Sequence, residues 1–249
     1  MNSISSIVSS LYDASLSLVY PQSCGICGRS VESRHDGVVC DVCWKATRVF
    51  SAGDTLCWKC GALSRATVSE DRRQQIRCRK CDDDPYTAAR ACGPYEGSLR
   101  ASILQLKRQP HVCRRLVALM HDVQRREPLN RADLIVPVPL HPDRERERSF
   151  NQAFVLGRQL SRLSGLPVNE HSVVRRVHTD RHRAGMDAKA RRQSVASAFA
   201  VRHSDQIKGK RVLLIDDVFT TGATVSSCAV ALKAAGADEV FVLTIARAS

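Results

Sequence analysis

Residues 212–225, VLLIDDVFTTGATV, restrict what the chain can become more than any other stretch. The run 211–218 is almost continuously apolar, as a strand buried on both faces requires. It delivers two carboxylates, Asp216 and Asp217, at its C-terminal end. A turn rich in Thr and Gly follows, and a helix is predicted over 221–235, closed by Gly236. In open α/β sheets ligands bind at that end of the strands. Thr220, Thr221 and Thr224 offer hydroxyls, Gly222 lets the backbone approach closely, and the amides opening the helix attract an anion. Paired carboxylates repel phosphate but accept hydrogen bonds from sugar hydroxyls. A sugar phosphate satisfies both halves, with phosphate in the loop and ribose on the aspartates. A Walker A loop is excluded, since no Gly-Lys-Ser/Thr follows, and so is a dinucleotide fingerprint.

The rest of the chain supplies a setting for that loop. A short strand ends at Tyr95-Glu96-Gly97, and Ile103, Leu104 and Leu106 start a helical pattern resumed by Val117 and Met120. Residues 133–140 (DLIVPVPL) and 240–245 (VFVLTI) read as strands, and 150–163 as a helix. Strands alternating with helices predict an α/β fold, a central parallel sheet covered on both sides. The Arg-rich stretch 174–193 has no clean period and reads as a mobile loop. Charge is uneven: residues 86–249 hold 27 Lys and Arg against 15 Asp and Glu, and residues 1–85 hold 11 against 10. The excess points to a polyanionic ligand on the second half, phosphate-rich small molecules or nucleic acid, or else to arginine used for solubility.

Before Pro85 the pattern is different. Eight of eleven cysteines form four C-x-x-C pairs, Cys24/Cys27, Cys40/Cys43, Cys57/Cys60 and Cys78/Cys81. Two such knuckles complete a closed tetrahedral Cys₄ site, which holds structural zinc. Gly28 and Gly61 follow the first and third pairs only, a repeat that argues for sequential sites; cross-bracing, first with third and second with fourth, stays open. A redox role fits poorly, because thioredoxin-like motifs sit in a βαβ context. Cys92, Cys113 and Cys228 are read as small buried apolar residues. Trp44 and Trp58 each abut a knuckle, to cover the metal sites or to stack on nucleic-acid bases.

D-D-x-x-T-T-G after an apolar strand resembles the 5-phosphoribosyl-1-pyrophosphate (PRPP) signature of type I phosphoribosyltransferases. With the cysteine pairs, the sequence resembles the ComF family, some of whose members are linked to natural competence. The matching parts are Leu106-Lys107, Val136-Pro137-Val138-Pro139, Arg148-Ser149-Phe150-Asn151-Gln152, residues 176–179 and residues 216–224. The family usually has glycine where Ser149 stands, Gln near His182 and Asn near Ser194.

The helical spacing of Ile4, Ile7, Val8 and Leu11 predicts an amphipathic helix over 1–20, and the resemblance implies a double zinc ribbon over 21–85 and a type I phosphoribosyltransferase domain over 86–249. It implies Mg²⁺-dependent transfer from PRPP to an unidentified nitrogen acceptor. Asp216 and Asp217 would be the catalytic carboxylates, and Val218, Phe219, Thr220, Thr221, Gly222, Ala223 and Thr224 the phosphate loop. Arg144, Arg148, Lys107, Arg191 and Arg192 are the candidate pyrophosphate cations.

A second reading is a non-catalytic factor handling single-stranded DNA, or an adaptor for DNA-uptake proteins, with PRPP as a regulatory input. Zinc ribbons, Trp44, Trp58 and the cluster 175–192 would then form the strand's track. No export signal and no run of membrane-spanning length stands out, so a cytoplasmic location is expected.

Overall fold

The structure, a computed structural model, describes residues 22–31, 37–64, 66, 68–175 and 198–248. The helix expected over 1–20 and most of the loop expected over 174–193 lie outside these residues.

Four strands form the central sheet: β1 (Ala88–Pro94), β2 (Leu134–Pro137), β5 (Arg211–Phe219) and β6 (Glu239–Arg247). Their order is β1-β6-β5-β2, and every pairing is parallel. The apolar runs at β5 and β6 are buried on both faces, as expected. Alternate residues feed two cores. On one face Leu213, Ile215, Phe241, Leu243 and Ile245 meet helices α3 (Arg114–Gln124) and α5 (Gln152–Ser164). On the other, Val212, Leu214, Val240 and Val242 meet α6 (Ala223–Ala234). The apolar pattern that begins at Ile103 is two helices, α2 (Gly97–Leu106) and α3, divided by the Gln109-Pro110 turn region. The start of the expected loop is a strand, since Val173–Arg175 (β3) pairs antiparallel with β4, Phe199–Val201. β-branched Val173 and Val174 explain that difference.

The cysteine-rich region is packed onto the sheet. Its one short α-helix among the described residues, α1 (Asp41–Ala46), places Trp44 in the same core as Leu99 and Leu116. β1 is an edge strand, yet its free side is met by backbone: Ala89 N–H donates to the Lys59 carbonyl at 2.6 Å, and Phe50 N–H donates to the Cys92 carbonyl at 2.7 Å. Gly61, at φ +70°, sits so close to β1 that a Cβ there would lie 2.5 Å from the Ala89 carbonyl oxygen. The ribbon therefore covers an edge that would otherwise invite pairing with another chain.

Helix α4 (Pro142–Arg148) ends on Ser149, which has φ 61°, ψ 6°. It is the one non-glycine residue with positive φ among those described. Glycine is easiest there, because a Cβ in the left-handed region costs roughly 1–2 kcal/mol. Ser149→Gly is expected to raise stability by up to about 1 kcal/mol, a melting shift of roughly 2–4 °C, readable by scanning calorimetry.

Candidate functional site

β5 carries the site on its C-terminal end. Helix α6 starts at Ala223, two residues later than the sequence pattern suggests, because Gly222 caps it at φ +80°. That left-handed turn lets the loop double back, and the Phe219 ring fills the space beneath it. A Cβ on Gly222 would lie 2.7 Å from the ring. Thr220, Thr221, Ala223 and Thr224 are exposed at the helix opening, and Val218 is half-buried.

Asp216 and Asp217 stand beside a cleft of ≈ 240 Å³. The same cleft is lined by Lys107 from the end of α2, by Arg144 and Arg148 from α4, and by Val218, Thr220 and Thr224. Two segments remote in the sequence thus bring three of the five predicted cations to the cleft of the two carboxylates. Arg191 and Arg192 lie outside the described residues. Asn151 and Gln152 line the cleft too, and the Asn151 amide donates to the Val138 carbonyl at 3.0 Å, tying α5 to the strand β2 beside it. Arg175, at the end of β3, is a further lining cation that sequence reading had left in the loop.

The carboxylates are not equivalent. Lys107 Nζ is 3.2 Å from Asp217 Oδ2. Asp216 Oδ1 accepts from the Asp217 backbone N–H at 2.8 Å. Burial and, after it, the charge of Asp217 push Asp216 up to about 7. Asp216 therefore keeps its proton to a higher pH than an ordinary carboxyl does.

The cysteines gather as two sequential sets, Cys24/27/40/43 and Cys57/60/78/81, with the ligand atoms of each set within 4.8 Å of one another. Cys57 and Cys81 sulfurs are 3.6 Å apart, Cys60 and Cys78 3.5 Å, and Cys27 and Cys40 3.6 Å. Four sulfurs at ~2.3 Å from zinc would be about 3.8 Å apart, so the clusters fit the ion. Backbone N–H groups aim at the sulfurs, Cys40 at Cys24 (3.4 Å) and Cys78 at Cys57 (3.3 Å). Burial raises the Cys24 and Cys57 thiols, but such donors outweigh it and bring them down to about 6 and about 7. Cys92, Cys113 and Cys228 are buried, as expected, and burial pushes Cys92 up to about 12.

Trp44 is buried against the first site with the Arg115 guanidinium 5.3 Å from its ring. Trp58 is half-buried, with Arg90 at 5.0 Å. Each ring thus carries an arginine of the same chain over one face.

A second cleft, of ≈ 810 Å³, lies on the other side of β5. Its walls are Cys60, Cys78, Lys80 and Cys81 of the second metal site and Pro94, Phe219, Thr220, Thr221 and Arg247 of the sheet's C-terminal ends. Nothing in the sequence pattern marked it, because it forms between segments far apart in the chain.

A parallel sheet with helices on both faces, a carboxylate pair and helix-opening loop on β5, and a tetra-Cys ribbon along β1 define a type I phosphoribosyltransferase-like fold with a structural zinc ribbon. The chain matches the double zinc ribbon domain over residues 15–82 and the phosphoribosyl transferase domain over residues 153–249. It is 31% identical over 239 residues to the DNA utilization protein YhgH of Escherichia coli K12, covering 92% of this chain and 99% of that protein. It is 37% identical over 138 residues to competence protein F of Haemophilus influenzae, covering 55% of this chain and 60% of that protein. The chain belongs to the ComF family. Among solved structures it is similar to the glutamine PRPP amidotransferase of Bacillus subtilis, at 21% identity and a TM-score of 0.37 over 52% of this chain and 25% of that one.

Among the described residues, no helix is long and apolar enough to cross a membrane.

Proposed function

We propose that the protein binds PRPP with Mg²⁺ and transfers its phosphoribosyl group to a nitrogen nucleophile. The observation that supports this best is the single cleft where Asp216, Asp217, Lys107, Arg144, Arg148, Thr220 and Thr224 converge. The 5′-phosphate lies on the amides and hydroxyls of residues 220–224, and Asp216 and Asp217 accept from the ribose hydroxyls. Arg144, Arg148 and Lys107 neutralise the departing pyrophosphate. Oxygen donors beside a diphosphate suit Mg²⁺, which when bound adds charge stabilisation to the leaving group.

Displacement at a sugar C1 brings the nucleophile in on the face opposite the leaving group. Two of the leaving group's cations, Arg144 and Arg148, follow β2, on one side of β5. The acceptor therefore enters from the other side, where the larger cleft opens toward Thr220 and the second zinc site.

Because Asp216 titrates near 7, PRPP affinity should rise between pH 6 and pH 8, by at most about tenfold per unit for one coupled proton. Ionised Asp216 accepts from the ribose hydroxyls without competition from its own proton. An Asp216→Asn variant, measured by calorimetry over the same range, should retain only the dependence due to the ligand's own phosphates.

The second reading is DNA handling with PRPP as a regulatory input, favoured by relatives named for competence and DNA utilization. It would show as salt-dependent binding of single-stranded DNA, lost in an Arg191→Ala/Arg192→Ala variant.

A further inference from the structure

The second zinc cluster is joined to the phosphate loop by two short side-chain links. Arg247 ends β6 opposite Phe219 in register. Its guanidinium donates from Nη1 to the Cys60 carbonyl at 2.7 Å, and its Nη2 lies 3.8 Å from Cys60 Sγ. The same group lies 4.3 Å from the centroid of the Phe219 ring, the ring that fills the space under Gly222. The other link begins where Asp84 N–H donates to the Cys81 carbonyl at 3.1 Å. Asp84 then accepts from Tyr86 Oη at 2.6 Å and from Ser226 Oγ, in the first turn of α6, at 2.9 Å. Tyr86 meets Phe219 edge-on, with centroids 6.1 Å apart.

The first cluster has no such reach among the described residues. Its arginine, Arg115, pairs with Asp41 and covers Trp44, far along the chain from the loop.

We propose that the second zinc site is a working part of the phosphate-binding site, with Arg247 and Asp84 as positioning residues that hold the loop 219–224 and the start of α6 in the shape that receives the 5′-phosphate. An anion cradle of backbone amides depends on geometry held to a fraction of an ångström, so its support matters as much as its own atoms. Arg247 supplies a flat cation over Phe219 and a fixed donor to the zinc knuckle, and lysine reproduces neither. This inference rests on the phosphate-loop reading above.

The test uses the full-length, zinc-loaded protein with ribose 5-phosphate and pyrophosphate titrated separately by calorimetry. Arg247→Gln should keep two zincs per chain, weaken ribose 5-phosphate about tenfold and leave pyrophosphate within about twofold. Ser226→Ala, which removes one hydroxyl, should weaken ribose 5-phosphate about two- to threefold. Arg247→Lys should not restore the wild-type affinity, and Arg115→Gln should change neither ligand. Unchanged ribose 5-phosphate binding in both Arg247→Gln and Ser226→Ala would overturn the proposal. So would parallel weakening of both ligands, which marks a general structural loss. A wild type that binds pyrophosphate but not ribose 5-phosphate would instead overturn the phosphate-loop reading itself, and this inference with it.

Discussion

Chelating both zincs is expected to unfold the ribbon and leave the central sheet open to pairing with other chains. Structural zinc in such knuckles contributes about 10–16 kcal/mol, more than the net stability of most domains. The loss would not stop at the ribbon. Lys59 and Phe50 occupy the backbone groups of edge strand β1, and Trp44, Val39 and Cys40 complete the core that holds Leu99 and Leu116. Removing them exposes an apolar edge, the arrangement that pairs with other chains. Size-exclusion chromatography with light scattering should show larger assemblies after chelation than before it. A well-folded sheet that keeps its size without zinc would mean the ribbon is merely appended.

The second large effect is at the carboxylates. Asp216→Asn/Asp217→Asn should weaken PRPP by about 100-fold or more, since each carboxylate accepting from a hydroxyl contributes roughly 1.5–3 kcal/mol. The same change should not destabilise the fold. Burial and the neighbouring charge raise Asp216 above its unfolded value, so its contribution to stability is fully present below the unfolded pKa and is lost as pH rises through about 7. The wild-type melting temperature should therefore fall from pH 6 to pH 8, and the variant's should fall less. Stability kept or gained while the ligand is lost is the signature of a group placed for binding and not for folding. Calorimetric scans beside PRPP titrations of both proteins read the two effects.

What could be read in the sequence was local. The run at β5, the Thr-Gly turn and the helix after it follow from spacing alone, with an error of two residues where Gly222 adopts a left-handed turn. The glycines after Cys27 and Cys60 pointed to sequential metal sites, and the sulfurs cluster in that order. The family resemblance leads one to expect glycine at Ser149, and the positive φ there is the conformation that glycine adopts most easily.

What could not be read was long-range. No periodicity says that Gly61 will press on Ala89, that Arg247 will reach Cys60, or that the second zinc site will wall a cleft beside Thr220. Such contacts depend on how β1 and β6 lie side by side, which is a property of the assembled sheet. Lys107, Arg144 and Arg148 converge for the same reason; for the two arginines only their place after the strand ending at Leu140 had suggested it.

The central claim is that β5 and its loop form a working PRPP site. Isothermal titration of PRPP with Mg²⁺ into the zinc-loaded protein tests it most directly. Saturable binding at one site per chain is expected, weakened about 100-fold or more in Asp216→Asn/Asp217→Asn. Absence of binding by a folded wild type holding both zincs would contradict it.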